Sequence, residues 1–474
     1  MAILTQLRAG QVLVTGAGVS GTGTARLLIA LGCSVVLVDD NQEALAAACR
    51  DTGARPATTE DARILIDSQV VSAVVTSPGW RPDTPLLAYA HQVGIDVLGD
   101  VELAYRLDRA EVFGPARTWL VVTGTNGKTT TTAMLADMMA RHAGDSGRRA
   151  QAVGNIGLAV ANALTAEPRV DVLVAELSSF QLHWSSELTP DVGVLLNLAE
   201  DHIDWHGSFP DYAAAKAKVL GGRHAIIGAD DPLVREQATA TGRTDVISFT
   251  LGEPAPGQLG VQAGRLVDRT GGEAVDLGSA EGIEPAGPAG QLDALAAAAA
   301  ARTQGVSAAQ IAQVLAEFRV DGHRGAVVHH GTGQWVDNSK ATNPHAADAA
   351  LAGLRDVLWI AGGQLKGAEV DDLVRAHAHR LSGVALLGVD RGVLAAALAE
   401  HAPDVAVFCS DSVDPEQAMD EVVVWAAQRV APEQTVLLAP AAASLDMFTG
   451  MAHRGDTFAA AARRHDQPQR PQRK

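Results

Sequence analysis

Hydrophobic positions along the chain fall into short runs separated by helical stretches. Gln11–Thr15 (QVLVT), Ser34–Val38 (SVVLV) and Val71–Thr76 (VSAVVT) read as strands, with a helix over Gly21–Leu31 between the first two. Strands alternating with helices predict a parallel sheet covered by crossover helices. The pattern breaks at Phe113-Gly114-Pro115, a linker, and restarts with Thr118–Thr123 (TWLVVT), a glycine turn and a helix from Lys128 to Arg141. Val170–Ala175, Val192–Leu198 and Ala225–Gly228 continue this second part as buried parallel strands. Residues 251–290, rich in Gly and Pro, predict loops and short strands, and Gln291–Thr303 and Ala308–Phe318 predict helices. The chain changes character again at His323-Arg324. Gln334–Asp337 (QWVD), Val357–Ala361, Val384–Leu387 and Thr435–Ala439 then read as strands with helices between them. The expected fold is α/β: three successive α/β domains with mainly parallel sheets, over 1–116, 117–324 and 325–466, followed by a flexible tail, 467–474.

Composition narrows the partners. The 474 residues carry 37 basic and 55 acidic side chains, a net charge of −18. That excess argues against nucleic acid or an anionic membrane surface as the main partner, while a local positive site can still take a small anion. The three cysteines, Cys33, Cys49 and Cys409, have no C-x-x-C spacing. This removes a zinc ribbon or disulfide framework and suits a reducing cytoplasm. No apolar stretch is long enough to span a bilayer, and the N-terminal apolar run feeds a glycine turn instead of a cleavage site, so no membrane insertion and a cytoplasmic location are expected.

Chemistry concentrates at strand ends. Gly16-x-Gly18-x-x-Gly21 joins a strand to a helix, and Asp39 ends the next strand. Glycines there let backbone amides approach a phosphate at a helix N-terminus. The turn fits NAD, a nucleotide diphosphate, or no ligand at all. A stronger signal is Val121–Thr130, VVTGTNGKTT. Lys128 supplies a cation for β/γ-phosphates, Thr129 a hydroxyl for Mg²⁺, and the amides from Gly124 through Thr125, Asn126 and Gly127 to Lys128 a cradle. The spacing departs from a standard Walker motif, because Val122 stands at its first glycine position. Glu176 ends the strand VDVLVA, and Asp201 and His202 follow VGVLLNL; carboxylates and an imidazole facing Thr129 make candidate magnesium ligands. Periodicity alone makes Lys216 a solvated helix lysine. Polar clusters at Asp337–His345, Gly362–Gly367 and Pro440–Ser444 also follow strands and suggest an anionic substrate.

Taken together, TGTNGKTTT, VGNIG at 153–157, ELSSFQL at 176–182, NLAEDHIDWH at 197–206, YAAAK at 212–216 and HR at 323–324 resemble the Mur ligases. DNSKATNPHA and LLAPAAASLDMF look like the branch that adds D-glutamate to UDP-N-acetylmuramoyl-L-alanine. The resemblance spans nearly the whole chain. It implies a Rossmann-like N-terminal domain that binds the UDP substrate, a P-loop ATPase-like central domain, and a Rossmann-like C-terminal domain for the amino acid. It also implies an ATP-dependent ligase of peptidoglycan precursor synthesis, acting as a monomer on small molecules through an acyl phosphate. A ligase for another amino acid is the nearest rival, and an NAD-dependent dehydrogenase the rival of a different class.

The resemblance further implies residue roles. Gly124 to Thr130 hold ATP phosphates. Thr129, Glu176 and His202 would bind or border two Mg²⁺ ions, with Lys216 carbamylated. Gly18, Asp39, Ser77 and Gly79 border the uridine nucleotide, and Asn155 the muramoyl-alanine part. Arg324 and Lys340 lie near the transferred phosphoryl group, and Thr342, Lys366 and Ser444 hold D-glutamate. The chain departs from the family at four places. Ala289–Asp293 replaces a His-Asn…Asn segment, so no adenine contact carries over. Asn338 stands where an acid is common, with Asp337 as the neighbour that could substitute. Gln364 replaces an acid, and Met451 an aromatic.

Overall fold

In the computed structural model, residues 2–320, 322–352 and 354–466 are described; the expected tail, 467–474, lies outside them. The chain forms two compact units, Met1–Ala280 with Leu292–Ala316, and Glu281–Gln291 with Glu317 onward. The first unit holds two sheets and the second holds one.

The first sheet contains β1 (Gln11–Thr15), β2 (Ser34–Val38), β3 (Arg55–Ala57), β4 (Val71–Thr76) and β5 (Val97–Gly99), in the order β3-β2-β1-β4-β5. All four pairings are parallel. The chain adds strands on one side of β1 and then on the other. That reversal opens a crevice beyond the C-terminal ends of β1 and β4, where ligands of such sheets collect. Val12, Leu13 and Val14 are all buried, as expected for a strand covered by helices on both faces.

The second sheet runs β6 (Thr118–Thr123), β7 (Ala150–Gly154), β8 (Val172–Glu176), β9 (Val192–Leu195), β10 (His224–Gly228), β11 (Ile247–Phe249), β12 (Gln258–Gln262), β13 (Arg265–Asp268) and β14 (Val275–Ser279). Their order is β14-β13-β12-β11-β10-β9-β6-β8-β7. The strands are parallel through β12, after which β12-β13-β14 form an antiparallel edge. That edge is what the Gly/Pro-rich stretch becomes. β6 lies between β8 and β9, so the ends of three parallel strands meet.

In the second unit, β15 (Ala326–His330), β16 (Gln334–Asp337), β17 (Val357–Gly362), β18 (Leu381–Leu387), β19 (Val407–Cys409) and β20 (Thr435–Leu438) take the order β15-β16-β20-β17-β18-β19. Only the β15–β16 pair is antiparallel. β20 inserts between β16 and β17 and brings three strand ends together.

The α/β reading and nearly all of the long strands hold. Differences are local. The helix expected to stop at Arg141 runs Lys128–Ser146, where Gly147 adopts a left-handed cap. The strand expected over Val192–Leu198 stops at Leu195, because the next residues turn away to bind the glycine loop. β3, β5, β11 and β19, at three residues each, were not expected because they show no periodicity, and β7 and β15, which lie at sheet edges, were not expected either. Among the described residues no helix is long and apolar enough to cross a membrane.

The segment read as a linker is tied down. Arg169 donates to the Phe113 carbonyl at 2.6 Å. Beside it, Asp108 of the helix Asp100–Arg109 is fully buried. It accepts from Arg117 Nη1 at 2.7 Å, the Arg117 amide at 2.9 Å and Trp119 Nε1 at 2.9 Å. The guanidinium also caps the Val170 and Leu164 carbonyls at 2.9 and 2.8 Å. This network joins the last helix of the first sheet to the first strand of the second. Removing one partner of such a pair leaves a buried charge uncompensated. Asp108→Ala should therefore lower the unfolding free energy by about 3–5 kcal/mol, read as a shifted urea midpoint; a shift below about 1 kcal/mol, the value of an exposed pair, would contradict it.

Candidate active site

The glycine loop at the end of β6 is shaped by its neighbour strand. Leu196 donates its amide to Thr123 O at 3.0 Å, and Thr125 donates its amide to Asn197 O at 3.0 Å. The Asn197 side chain accepts from the Asn126 amide at 2.8 Å and returns a bond to Asn126 O at 3.1 Å. Thr125 Oγ1 meets Tyr212 Oη at 2.8 Å and accepts from the Ala199 amide at 2.9 Å. The loop is thus clasped before any ligand arrives. It also corrects the expected cradle, since the Thr125 and Asn126 amides are already spent. The opening turn of the helix Lys128–Ser146, with Thr129 and Thr130, is where amides lack acceptors within the helix.

Gly127 has φ +83°, and a Cβ there would collide with Asp293 Oδ1. Asp293 also accepts from Thr131 Oγ1 at 3.1 Å. An acid from the replaced family segment therefore packs under the loop. Sequence reading assigned no role to Asp293, Asn197 or Tyr212. Two of them lay inside quoted motifs, but nothing in their spacing says which group they touch.

Lys216 overturns the periodicity reading of a solvated lysine: it is 2% exposed. Its Nζ donates to Gly124 O at 2.7 Å and lies 5.0 Å from the centre of the Tyr212 ring. Burial and the nearby Lys128 cation hold its pKa well below the ordinary lysine value, against weaker opposing pulls from Asp201 and Glu176. Lys128 Nζ donates to Thr125 O at 2.8 Å. Glu176, at the end of β8, is buried; Oε1 accepts from Asn155 Nδ2 at 2.7 Å, while Oε2 has no partner. His202 adopts φ +54°, with its ring 4.7 Å from that of Phe180 and Nε2 3.5 Å from the Asp201 carboxylate.

Lys128, Asn155, Phe180, Asp201, His202 and Lys216 line one cavity of about 520 Å³. Ser20, Pro78 and Asp100 reach it from the first sheet. There Gly18 caps the helix Val19–Ala30, and Asp39 accepts from the Ala17 amide at 2.6 Å and the Asn41 amide at 2.8 Å. Ser77 Oγ is buried without a partner next to Gly16. Gly79 O accepts weakly from Trp205 Nε1 at 3.5 Å.

The other expected residues belong to the second unit. Arg324 precedes β15, and the Lys340 amide donates to His323 O at 3.1 Å. Lys340 and Thr342 follow β16, Lys366 follows β17 and Ser444 follows β20. Paired bonds between Gln364 and Ala443, both 2.9 Å, and one from the Gly362 amide to Pro440 O at 2.8 Å zip two of these loops together. Asp337 cannot substitute for the acid missing at 338. It is 1% exposed, accepts from His323 Nδ1 at 2.6 Å and from the Ser339 amide at 2.9 Å, and burial raises its pKa.

Two family models match this arrangement: the Mur ligase middle domain over residues 122–284, and the Mur ligase glutamate ligase domain over 323–442. A UDP-N-acetylmuramoylalanine--D-glutamate ligase of Corynebacterium diphtheriae is 57% identical over 96% of both chains. The chain belongs to the Mur ligase family. A protein of the same name from Mycolicibacterium smegmatis is 46% identical over 96% of each chain. Among solved structures, MurF from Acinetobacter baumannii matches with TM-score 0.62 at 15% identity, covering 97% of this chain and 98% of that one. MurC from Thermotoga maritima matches with TM-score 0.56 at 16% identity, covering 96% and 99%. These two likenesses concern the fold. With the family established, the dehydrogenase alternative falls.

His206 backs the His202 segment. Its ring stacks on Phe180 at 5.7 Å, and both ring nitrogens are buried without partners. Burial, then the neighbouring His183 and His202, lower its pKa to about 4. The unfolded chain binds the proton first, so folding loses stability as pH falls from 6.5 toward 4. Compared with His206→Phe, the wild type should lose more stability over that interval in thermal melts; parallel curves would refute the shift.

Proposed function

We propose that this chain is an ATP-dependent ligase that joins D-glutamate to UDP-N-acetylmuramoyl-L-alanine in peptidoglycan precursor synthesis. The carrying observation is the lysine-bearing glycine loop at the end of β6, clasped by Asn197 and backed by buried Lys216. The amino acid follows from the names of relatives at 46–58% identity over nearly full length. In this reading residues 1–116 take the uridine nucleotide with Gly18, Asp39, Ser77 and Gly79, and Asn155 takes the muramoyl-alanine part. Residues 117–324 hold ATP, and 325–466 hold D-glutamate through Thr342, Lys366 and Ser444.

A carboxylate acylates poorly because oxide is a poor leaving group. Lys128, the turn at Gly124 and Gly127, and the opening of the following helix with Thr129 and Thr130 hold the triphosphate so that the alanine carboxylate oxygen attacks the γ-phosphorus. The bond to ADP breaks, ADP leaves, and an acyl phosphate forms. Arg324 and Lys340 neutralise charge on the transferred group. The D-glutamate amine then attacks the acyl carbon, the bond to phosphate breaks, and the amine gives up its proton. Holding the partners in line supplies much of the rate.

The residues fit magnesium: Glu176 keeps a buried oxygen without a donor. Thr129, Glu176, His202 and a carbamylated Lys216 would hold two ions, which supply charge neutralisation at the phosphates. Burial favours the neutral amine of Lys216, the form that adds carbon dioxide and releases a proton to give a carbamate. The three cysteines are unpaired, which supports a reducing cytoplasm as the place of action.

With ATP and UDP-N-acetylmuramoyl-L-alanine, phosphate release should require D-glutamate in a scan of D- and L-amino acids. Release without an amino acid, or with a different one alone, would replace this reading. Lys216→Ala should be crippled and regain part of its turnover with added acetate or formate. Full activity in the variant would make the lysine a bystander, and a crippled variant that no acid restores would remove the carbamate.

A further inference from the structure

The three loops bearing Lys340 and Thr342, Lys366, and Ser444 lie over a side chain that the mechanism above does not use. Arg454, in the helix Met451–His465, is 1% exposed. Its Nε donates to Ser339 Oγ at 3.0 Å and its Nη2 to Ser339 O at 2.8 Å. Its Nη1 donates to Ala442 O at 3.0 Å and, more weakly, to Gly362 O at 3.4 Å. One guanidinium therefore touches the loop after β16, the end of β17 and the loop after β20. Gly363 allows the approach, since a Cβ there would lie 3.2 Å from Nη1. The next residue, Gly455, admits the His323–Asp337 pair, with which a Cβ would collide.

Each acceptor that Arg454 meets is neutral. Asp446 and Asp337 act on it only through space, and Asp337 is engaged by His323 and the Ser339 amide. Burial lowers its pKa to about 10, so it stays charged at neutral pH. An unpaired buried cation is costly, and an apolar side chain of the same volume would serve stability as well or better. Only a planar fork of five donors reaches three loops at once.

We propose that Arg454 is the positioning residue of the amino-acid subsite, fixing the spacing of its three loops while its charge, which no carboxylate contacts directly, draws an acidic amino acid to them. This rests on the D-glutamate reading above. A ligand with two carboxylates suits three loops that are held by one buried cation and that carry Lys340 and Lys366 in sequence.

The test is steady-state kinetics of Arg454→Ala and Arg454→Lys, with guanidinium chloride at low millimolar concentration as a rescue agent. In Arg454→Ala the KM for D-glutamate should rise about tenfold or more, the loss expected for charged hydrogen bonds, while the KM for ATP stays within about twofold. Guanidinium should recover part of the loss and methylammonium should not. Arg454→Lys, which keeps the charge but cannot span three loops, should show a smaller rise and keeps the test alive if the alanine variant does not fold. An unchanged KM for D-glutamate, an equal rise for ATP, or equal rescue by methylammonium would overturn the proposal. If wild type releases no phosphate in response to D-glutamate, the functional reading itself fails, which is a separate outcome.

Discussion

The amine of Lys216, enclosed behind the glycine loop, constrains the rest of the first unit. Taking an amine out of water penalises its charged form by several kcal/mol. What makes the burial tolerable is the Gly124 carbonyl at 2.7 Å and the face of Tyr212. Both contacts demand that the helix Phe209–Ala217 lie against the loop. Tyr212 then reaches Thr125, and Thr125 reaches Ala199. The segment after β9, through Asn197, and Asp293 beneath Gly127 hold the same loop from other sides. A loop built this way meets its ligand without first having to be ordered.

Both compact units use the same device. In each, one strand is inserted between two parallel neighbours, β6 between β8 and β9, and β20 between β16 and β17. Parallel strands finish at the same edge, so insertion gathers three loops from distant parts of the chain. The first cluster assembles Thr123, Glu176 and Asn197. The second assembles Asp337, Gly362 and Ala439. Polar groups concentrate there because the strands beneath are hydrophobic throughout, as Leu120–Val122 and Leu358–Ile360 show.

How much was legible from sequence depends on the kind of residue. Apart from β9, which stops at Leu195, the long apolar strands ended within a residue of expectation, because a run such as TWLVVT can only be buried on both faces. The strand-to-helix junction at Gly-Lys-Thr was legible because an apolar run that ends in a glycine turn has few other continuations. Lys216 was misread by periodicity, since a helix pattern reports amphipathicity and not which polar residue turns inward. Asp293 and Asn197 were invisible for a related reason: their partners, the Thr131 hydroxyl and the Asn126 backbone, lie far away in sequence. The status of Asp337 could not be read either, because its acceptor capacity is consumed by His323, fourteen positions earlier.

The first glycine turn carries a wider lesson. A Cβ at Gly21 would overlap the carbonyl of Gly16, and one at Gly16 would strike Ser77, so both positions are emptied of side chains by the crossing of helix and strand. Asp39 is spent on the same turn. A signature of spaced glycines ended by an acid is then a fingerprint of steric economy in the polypeptide. Pattern searches that equate it with one nucleotide will gather proteins united by chain geometry and divided by cargo.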